Sequence, residues 1–435
     1  MNYINDFLNF INNSPVSYFA IKNVKDVLVN NGYIELKEDS DFSLAKGKKY
    51  FVIREDGAVI AFNVGKSINK NTSFNIIASH ADSPCFKLKE VFDAYDNEYN
   101  KILVEPYGGL ILSTWLDRPL SVAGKINVKN NEEIISKFIN IDKDLLMIPN
   151  MCPHFSREIQ ISLKDDYKTF MLPFLSNETN GETLMNIICK EANVNKDDVV
   201  NHDLYVYNRN KAMLLGNNGE YLCAPRLDDL ACVYTSLIAF LNQENKKTIN
   251  MLYVANHEEI GSDTNVGAGG DFLVSVLNKI QAGLNFDEEE FKKIIANSYF
   301  VSADNAHAVH PNVVNAAHPI KRAHLNKGLV IKKSERYATS KLSSAISVKA
   351  FEDHNIPYQH YENPIGVRGG STLGVIVLRQ IPILGIDVGI PQLAMHSSYE
   401  TIGSHDIENV INAFKVLYSL KLKIKVRSFK AKYVK

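Results

Sequence analysis

Residues 251–268 read MLYVANHEEIGSDTNVGA, an apolar run that stops at His257, Glu258 and Glu259 and then meets a glycine. Met251 to Ala255 is too short for a helix and rich in Val and Tyr, so it reads as a strand buried on both faces, as in a parallel sheet. Ligands of open α/β sheets bind beyond the carboxyl ends of the strands, which makes the His-Glu-Glu cluster a candidate site. Adjacent carboxylates on a loop point in different directions, so one can hold a metal while its neighbour handles a proton. The plain alternative is a solvated acidic pair at the start of a loop.

Working outward, three more runs have the same form. Phe74 to Ser79 ends at His80-Ala81-Asp82, Tyr299 to Ala303 ends at Asp304, and Ile381 to Gly389 leads into PQLAMHSS with His396. Tyr50 to Asn63 alternates around Asp56-Gly57 and predicts a hairpin. Ser14-Pro15 predicts a capped helix through about Asn30. Leu230, Val233, Tyr234, Leu237 and Leu241 form one helical face, which puts Asp228 and Asp229 at a helix start, where the plain reading is capping. Ser404 opens a closing helix. From about Lys89 to Gly219 the chain changes to strand-and-turn sequence with breakers at Gly108-Gly109, Gly124 and Asn130-Asn131, a core tryptophan at Trp115 and a helical stretch near Leu184 to Ala192. The expected fold is α/β, a mixed, largely parallel sheet flanked by helices, built from 1–88 and 219–435 and interrupted by a β-rich unit at 89–218.

Composition bounds the function. The chain has 435 residues, 45% hydrophobic and 22% charged, with a formal net charge of −1, so neither nucleic acid nor an anionic membrane is an expected partner. The basic run Lys421 to Lys435 reads as a solvated edge or helix end. Five scattered cysteines without a Cys-x-x-Cys pair argue against a disulfide framework or a thiolate zinc site and fit a reducing cytoplasm. No run is long and apolar enough to span a bilayer, and the N-terminus lacks the features of an export signal.

The strand ends together supply His80, Asp82, Asp228, Glu258, Glu259, Asp304 and His396. Imidazole and carboxylate without thiolate suit Zn, Mn or Co, and a two-metal site needs one carboxylate that bridges. Spacing alone is weak, because the residues are spread from His80 to His396.

The blocks around these residues carry more. HADSPC at 80–85, RLDD at 226–229, HEEIGS at 257–262, SADNAHAVHPN at 302–312 and QLAMHS at 392–397 resemble, in this order and across nearly the whole chain, the aspartyl aminopeptidase family. The resemblance implies a zinc-exopeptidase-like catalytic domain with an inserted dimerisation domain, assembly into tetrahedral dodecamers, and a metallo-aminopeptidase that releases N-terminal residues, acidic ones among them, from peptides. It implies two divalent ions, zinc in the family's pattern, at sites that Mn2+ or Co2+ would also suit. His80, Asp228 and Asp304 would hold one and Asp228, Glu259 and His396 the other, with a cis peptide after Asp228. Asp82 would orient His80, and Glu258 would be the general base. His154 resembles a histidine that reaches a neighbouring subunit's active site, where it would contact a metal; the plain alternative is an exposed structural histidine. His307 and Lys332 resemble residues that line the pocket for the first side chain. Residues 368–374, RGGSTLG, depart from the family's pattern. The alternatives are a related co-catalytic metal amidohydrolase and an inactive self-assembling shell protein, and an intact Glu258 beside Glu259 argues against the second.

Overall fold

The computed structural model describes residues 3–96, 98–156, 167–177, 182–243, 246–367, 369–370 and 372–423. The expected basic edge falls outside them from residue 424 on, as do Arg368 and Ser371 of the departing stretch.

Nine strands form the main sheet, in the order Ile34–Glu35, Lys49–Arg54, Ala58–Val64, Ile249–Ala255, Phe74–His80, Tyr299–Ala303, Leu384–Gly389, Leu329–Lys333 and Tyr358–Glu362. The four from Ile249–Ala255 to Leu384–Gly389 are mutually parallel, and antiparallel strands lie on either side, so the sheet is mixed and largely parallel. The strands Ile249–Ala255 and Phe74–His80 are buried at every position. Because strand side chains alternate, Leu252, Val254, Ile77 and Val301 enter one core while Met251, Tyr253, Ile76 and Phe300 enter the other. Helices Tyr3–Asn12, Ser17–Asn30, Leu227–Leu241, Lys341–Asp353 and Ser404–Tyr418 cover the first face. Helices Phe272–Gly283, Glu288–Ala296 and Leu373–Gln380 cover the second. Each fully buried Leu, Ile or Phe contributes about 1.5–3 kcal/mol, so the edge at which these strands end is a rigid platform.

A second sheet of six strands draws them all from residues 85–208, antiparallel throughout. Its core includes Trp115, which packs edge-on against Phe86 at 5.3 Å. A small third sheet joins Met213–Leu215, Tyr221–Ala224, Glu400–Gly403, Pro391–Leu393 and Ala306–His307.

Several local expectations need correction. Ser14 does not cap the second helix, which starts at Ser17 behind Val16 with no side-chain cap. Instead the Ser14 hydroxyl donates to the Phe10 carbonyl at 2.7 Å and closes a first helix, Tyr3–Asn12, that the sequence reading did not separate. Gly124 breaks nothing: it lies within the strand Leu120–Asn130 at φ +149°, where a Cβ would come within 2.1 Å of the Asp203 carbonyl oxygen. The strand expected from Ile381 begins at Leu384, because Ile381 follows a helix, and two short strands come after it, Pro391–Leu393 and Glu400–Gly403. No helix among the described residues is long and apolar enough to cross a membrane.

Candidate metal centre

Parallel pairing brings strand ends to one edge. Ala255 pairs with His80, and Ala303 with Val388, so His80, the 258–259 turn and Asp304 emerge side by side. The chain turns at His257 (φ 58°) into a short 3-10 turn, Glu258–Ile260, which faces the two glutamates toward the cluster. Asp228 comes from the start of the helix Leu227–Leu241. Neither it nor Asp229 acts as a cap: the cap position is Arg226, with no side-chain cap bond, and both aspartates have non-helical backbone. The peptide between them is cis.

His80 is 1% exposed; its Nε2 lies 3.5 Å from Asp228 Oδ1 and 3.9 Å from Asp304 Oδ1. The other Asp228 oxygen, Oδ2, lies 3.7 Å from Nε2 of His396, and that nitrogen lies 3.7 Å from Glu259 Oε2. These gaps are too wide for hydrogen bonds. Donors each about 2.0–2.2 Å from a tetrahedral zinc stand about 3.3–3.6 Å apart, so the spacing suits donors converging on an ion. Asp228 Oδ1 is buried and accepts no hydrogen bond, an expensive state for a carboxylate oxygen unless a cation satisfies it. The donor groups that converge within 4.8 Å are His80–Asp228–Asp229–Asp304 and Asp228–Glu259–His396. A third, His80–Glu258–Glu259, meets the same limit.

Buried carboxylates hold these side chains. His80 Nδ1 lies 3.1 Å from the backbone carbonyl of Asp82 and 3.3 Å from its Oδ1, and the Asp82 side chain also accepts the backbone N–H groups of Glu258 (3.2 Å) and Glu259 (3.1 Å) and the hydroxyl of Tyr107 (2.8 Å). Asp229 accepts the His80 N–H at 3.2 Å. Glu400 accepts from the backbone of Asp228 at 3.0 Å and of His396 at 2.8 Å. Lys332, buried, places its ammonium 3.2 Å from Asp304 Oδ2.

So many carboxylates in one buried place perturb each other. Burial opposes charge on His80, yet Asp228, Asp304 and Asp82 outweigh it and raise its pKa well above the ordinary value. Burial likewise pushes Asp304 up, but Lys332 and His80 hold it below the usual carboxylate range. Burial, reinforced by Asp304, Asp82 and Asp228, pushes Glu258 up to about 8. Burial and Asp228 raise Glu259 well above its ordinary value. A dication among these groups would reverse the pressure on the carboxylates.

The sequence candidates divide accordingly. His80, Asp82, Asp228, Glu258, Glu259, Asp304 and His396 come together, with Lys332 against Asp304. His307 lies beside them on the small third sheet, exposed, with its ring 6.3 Å from that of Tyr361. His154 does not join: it is exposed, on the short helix Pro153–Ser156, and belongs to none of the donor groups. Sequence reasoning missed Glu400, although it lies four residues after His396, and it missed Tyr107, which no local pattern connects to Asp82.

The profile of the aminopeptidase I zinc metalloprotease family (M18) matches residues 10–418. The chain is 37% identical over 429 residues to a probable M18 family aminopeptidase 2 of Clostridium acetobutylicum, covering 97% of this chain and 99% of that one. To an aspartyl aminopeptidase of Caenorhabditis elegans it is 31% identical over 445 residues, covering 95% and 94%. Its fold matches the mApe1 dodecamer of S. cerevisiae with a TM-score of 0.82 at 25% identity, over 96% of each chain.

Proposed function

We propose how this cluster works from the premise that the chain belongs to the M18 family of aminopeptidase I zinc metalloproteases and is a zinc-dependent aminopeptidase. The site takes two divalent ions, zinc by family and Mn2+ or Co2+ by donor chemistry, one between His80, Asp228 and Asp304 and one between Asp228, Glu259 and His396. One observation carries this: Asp228 turns one oxygen to His80 and the other to His396. When bound, such a pair of ions polarises the scissile carbonyl and makes water nucleophilic near neutral pH.

The protein's own residues do the rest. Glu258 accepts a proton from the attacking water and returns it to the departing amine. Asp82 fixes His80 with Nε2 toward the cluster, and Lys332 balances the charge of Asp304. His307 and Lys332 line the pocket for the N-terminal side chain, where an ammonium favours Asp or Glu. The unit at 89–218 serves self-association, for which a dodecameric structural relative is the support, and exposed His154 completes a partner's pocket. Five free cysteines agree with a cytoplasmic setting.

Elemental analysis of dialysed Asp228→Asn tests the core of this. It should lose both ions, whereas Asp304→Asn and His396→Ala should each lose one. Two ions retained in Asp228→Asn would show that Asp228 bridges nothing.

A further inference from the structure

The six-stranded sheet does more than stand beside the catalytic cluster. Its strand Tyr99–Tyr107 runs straight into Gly108 and Gly109, and each of these three consecutive residues meets a different side chain of the centre. Tyr107 donates its hydroxyl to Asp82 Oδ2 at 2.8 Å, on the carboxylate that also contacts His80 and the backbone of both glutamates. Gly108, at φ +74°, lies so close to Glu259 that a Cβ would come within 3.1 Å of both its Cβ and its Oε2. The carbonyl of Gly109 lies 2.8 Å from Nδ1 of His396. A carbonyl only accepts, so that contact requires a proton on Nδ1 and leaves Nε2 as the lone-pair nitrogen, the one that faces Asp228 and Glu259. The Ile111 N–H then donates to the His396 carbonyl at 3.1 Å, which pins the backbone of the same residue.

We infer that Tyr107, Gly108 and Gly109 form a positioning strap by which the inserted unit braces the metal centre of its own chain. Tyr107 aims Asp82 and through it His80. Gly108 provides the close approach that seats Glu259, and the Gly109 carbonyl selects the tautomer and orientation of His396. The inserted unit therefore acts in cis on both halves of the cluster, independently of any part it takes in assembly. The inference rests on the two-ion reading above.

Its test is the grip on zinc, read without turnover. Tyr107→Phe removes one hydroxyl and no volume of consequence. Tyr205→Phe is the matched control: its ring packs edge-on against Tyr107 at 5.4 Å, but its hydroxyl donates to Asp203, outside the cluster. The zinc content of each zinc-loaded protein is measured after equilibration against graded chelator, together with the visible spectrum of the cobalt-loaded forms. Tyr107→Phe should release an ion at roughly 10–100-fold weaker chelation than wild type, the usual effect of removing an outer-shell partner, and should show an altered cobalt spectrum. Tyr205→Phe should match wild type on both counts. Gly108→Ala, which presses on Glu259, should loosen an ion while leaving the Tyr107–Asp82 bond in place. Wild-type protein holding fewer than two ions per chain would overturn the reading beneath the inference. Two ions held as tightly in Tyr107→Phe as in wild type, or loosened equally in Tyr205→Phe, would overturn the strap alone.

Discussion

The two large sheets handle their strand ends in opposite ways. In the nine-stranded sheet the four central strands run parallel and are covered by helices on both faces. The six-stranded sheet is antiparallel throughout, and its strand Glu133–Asn140 keeps most of its residues in contact with solvent. Parallel strands all finish at one edge, so a parallel sheet gathers several side chains at one place. An antiparallel sheet sends alternate ends to opposite edges, and here it contributes one strand end, Tyr107, with the two glycines that follow. The first sheet thus supplies the donors His80 and Asp304 and the glutamate turn, and the second supplies support for them, while exposed His154 lies on a short helix in the chain between its strands.

Substitutions on the two sides should differ in kind as well as in size. On the nine-stranded side, Glu258→Gln should lower kcat by roughly 10²–10⁴, the range for one general base, while both ions remain. Loss of an ion in that variant would make Glu258 a ligand, as its membership of the His80–Glu258–Glu259 group allows, and would redraw the division of labour. One layer out the effect falls on stability and specificity and leaves the chemical step in place. Lys332→Ala takes the ammonium from Asp304 and leaves His80 as its remaining cationic neighbour, and metal-stripped protein should lose up to about 3–5 kcal/mol in urea unfolding. The same variant should narrow the preference for acidic over neutral first residues in kcat/KM; an unchanged ratio would remove Lys332 from the pocket. The smallest and most conditional effect belongs to the six-stranded side. His154→Ala and Glu258→Gln assemblies should each be poorly active, and co-assembly should restore part of the activity by setting an intact His154 beside an intact Glu258. Co-assembly proved physically without such recovery would confine His154 to its own chain or to no role.

The same contrast explains what the sequence disclosed. Strands buried on both faces are written as nearly continuous apolar runs, so Met251 to Ala255 and Tyr299 to Ala303, the latter with Ser302 within it, are read directly, and the ionisable residues that end them stand out because they interrupt such runs. Residues whose work depends on tertiary approach left no such mark. Gly108 and Gly109 read as turn residues, and their contacts with Glu259 and His396 follow only once the two sheets are juxtaposed. Gly124 read as a breaker because close approach to the Asp203 carbonyl, like a turn, selects glycine. Glu400 drew no reading, since its partners are backbone N–H groups, which carry no sequence signal. Ser14 reads as the start of the second helix yet closes the first, because a serine before proline suits either a helix end or a helix start.

The claim on which the rest depends is that Asp228 bridges two ions while Glu258 stays free. Anomalous diffraction at the zinc edge from crystals of the zinc-loaded protein tests it most directly. Two peaks are expected, about 3.5–4 Å apart, on either side of Asp228. One should be bounded by His80 and Asp304 and the other by Glu259 and His396, with Glu258 bound to neither. A single peak, or a peak ligated by Glu258, would contradict it.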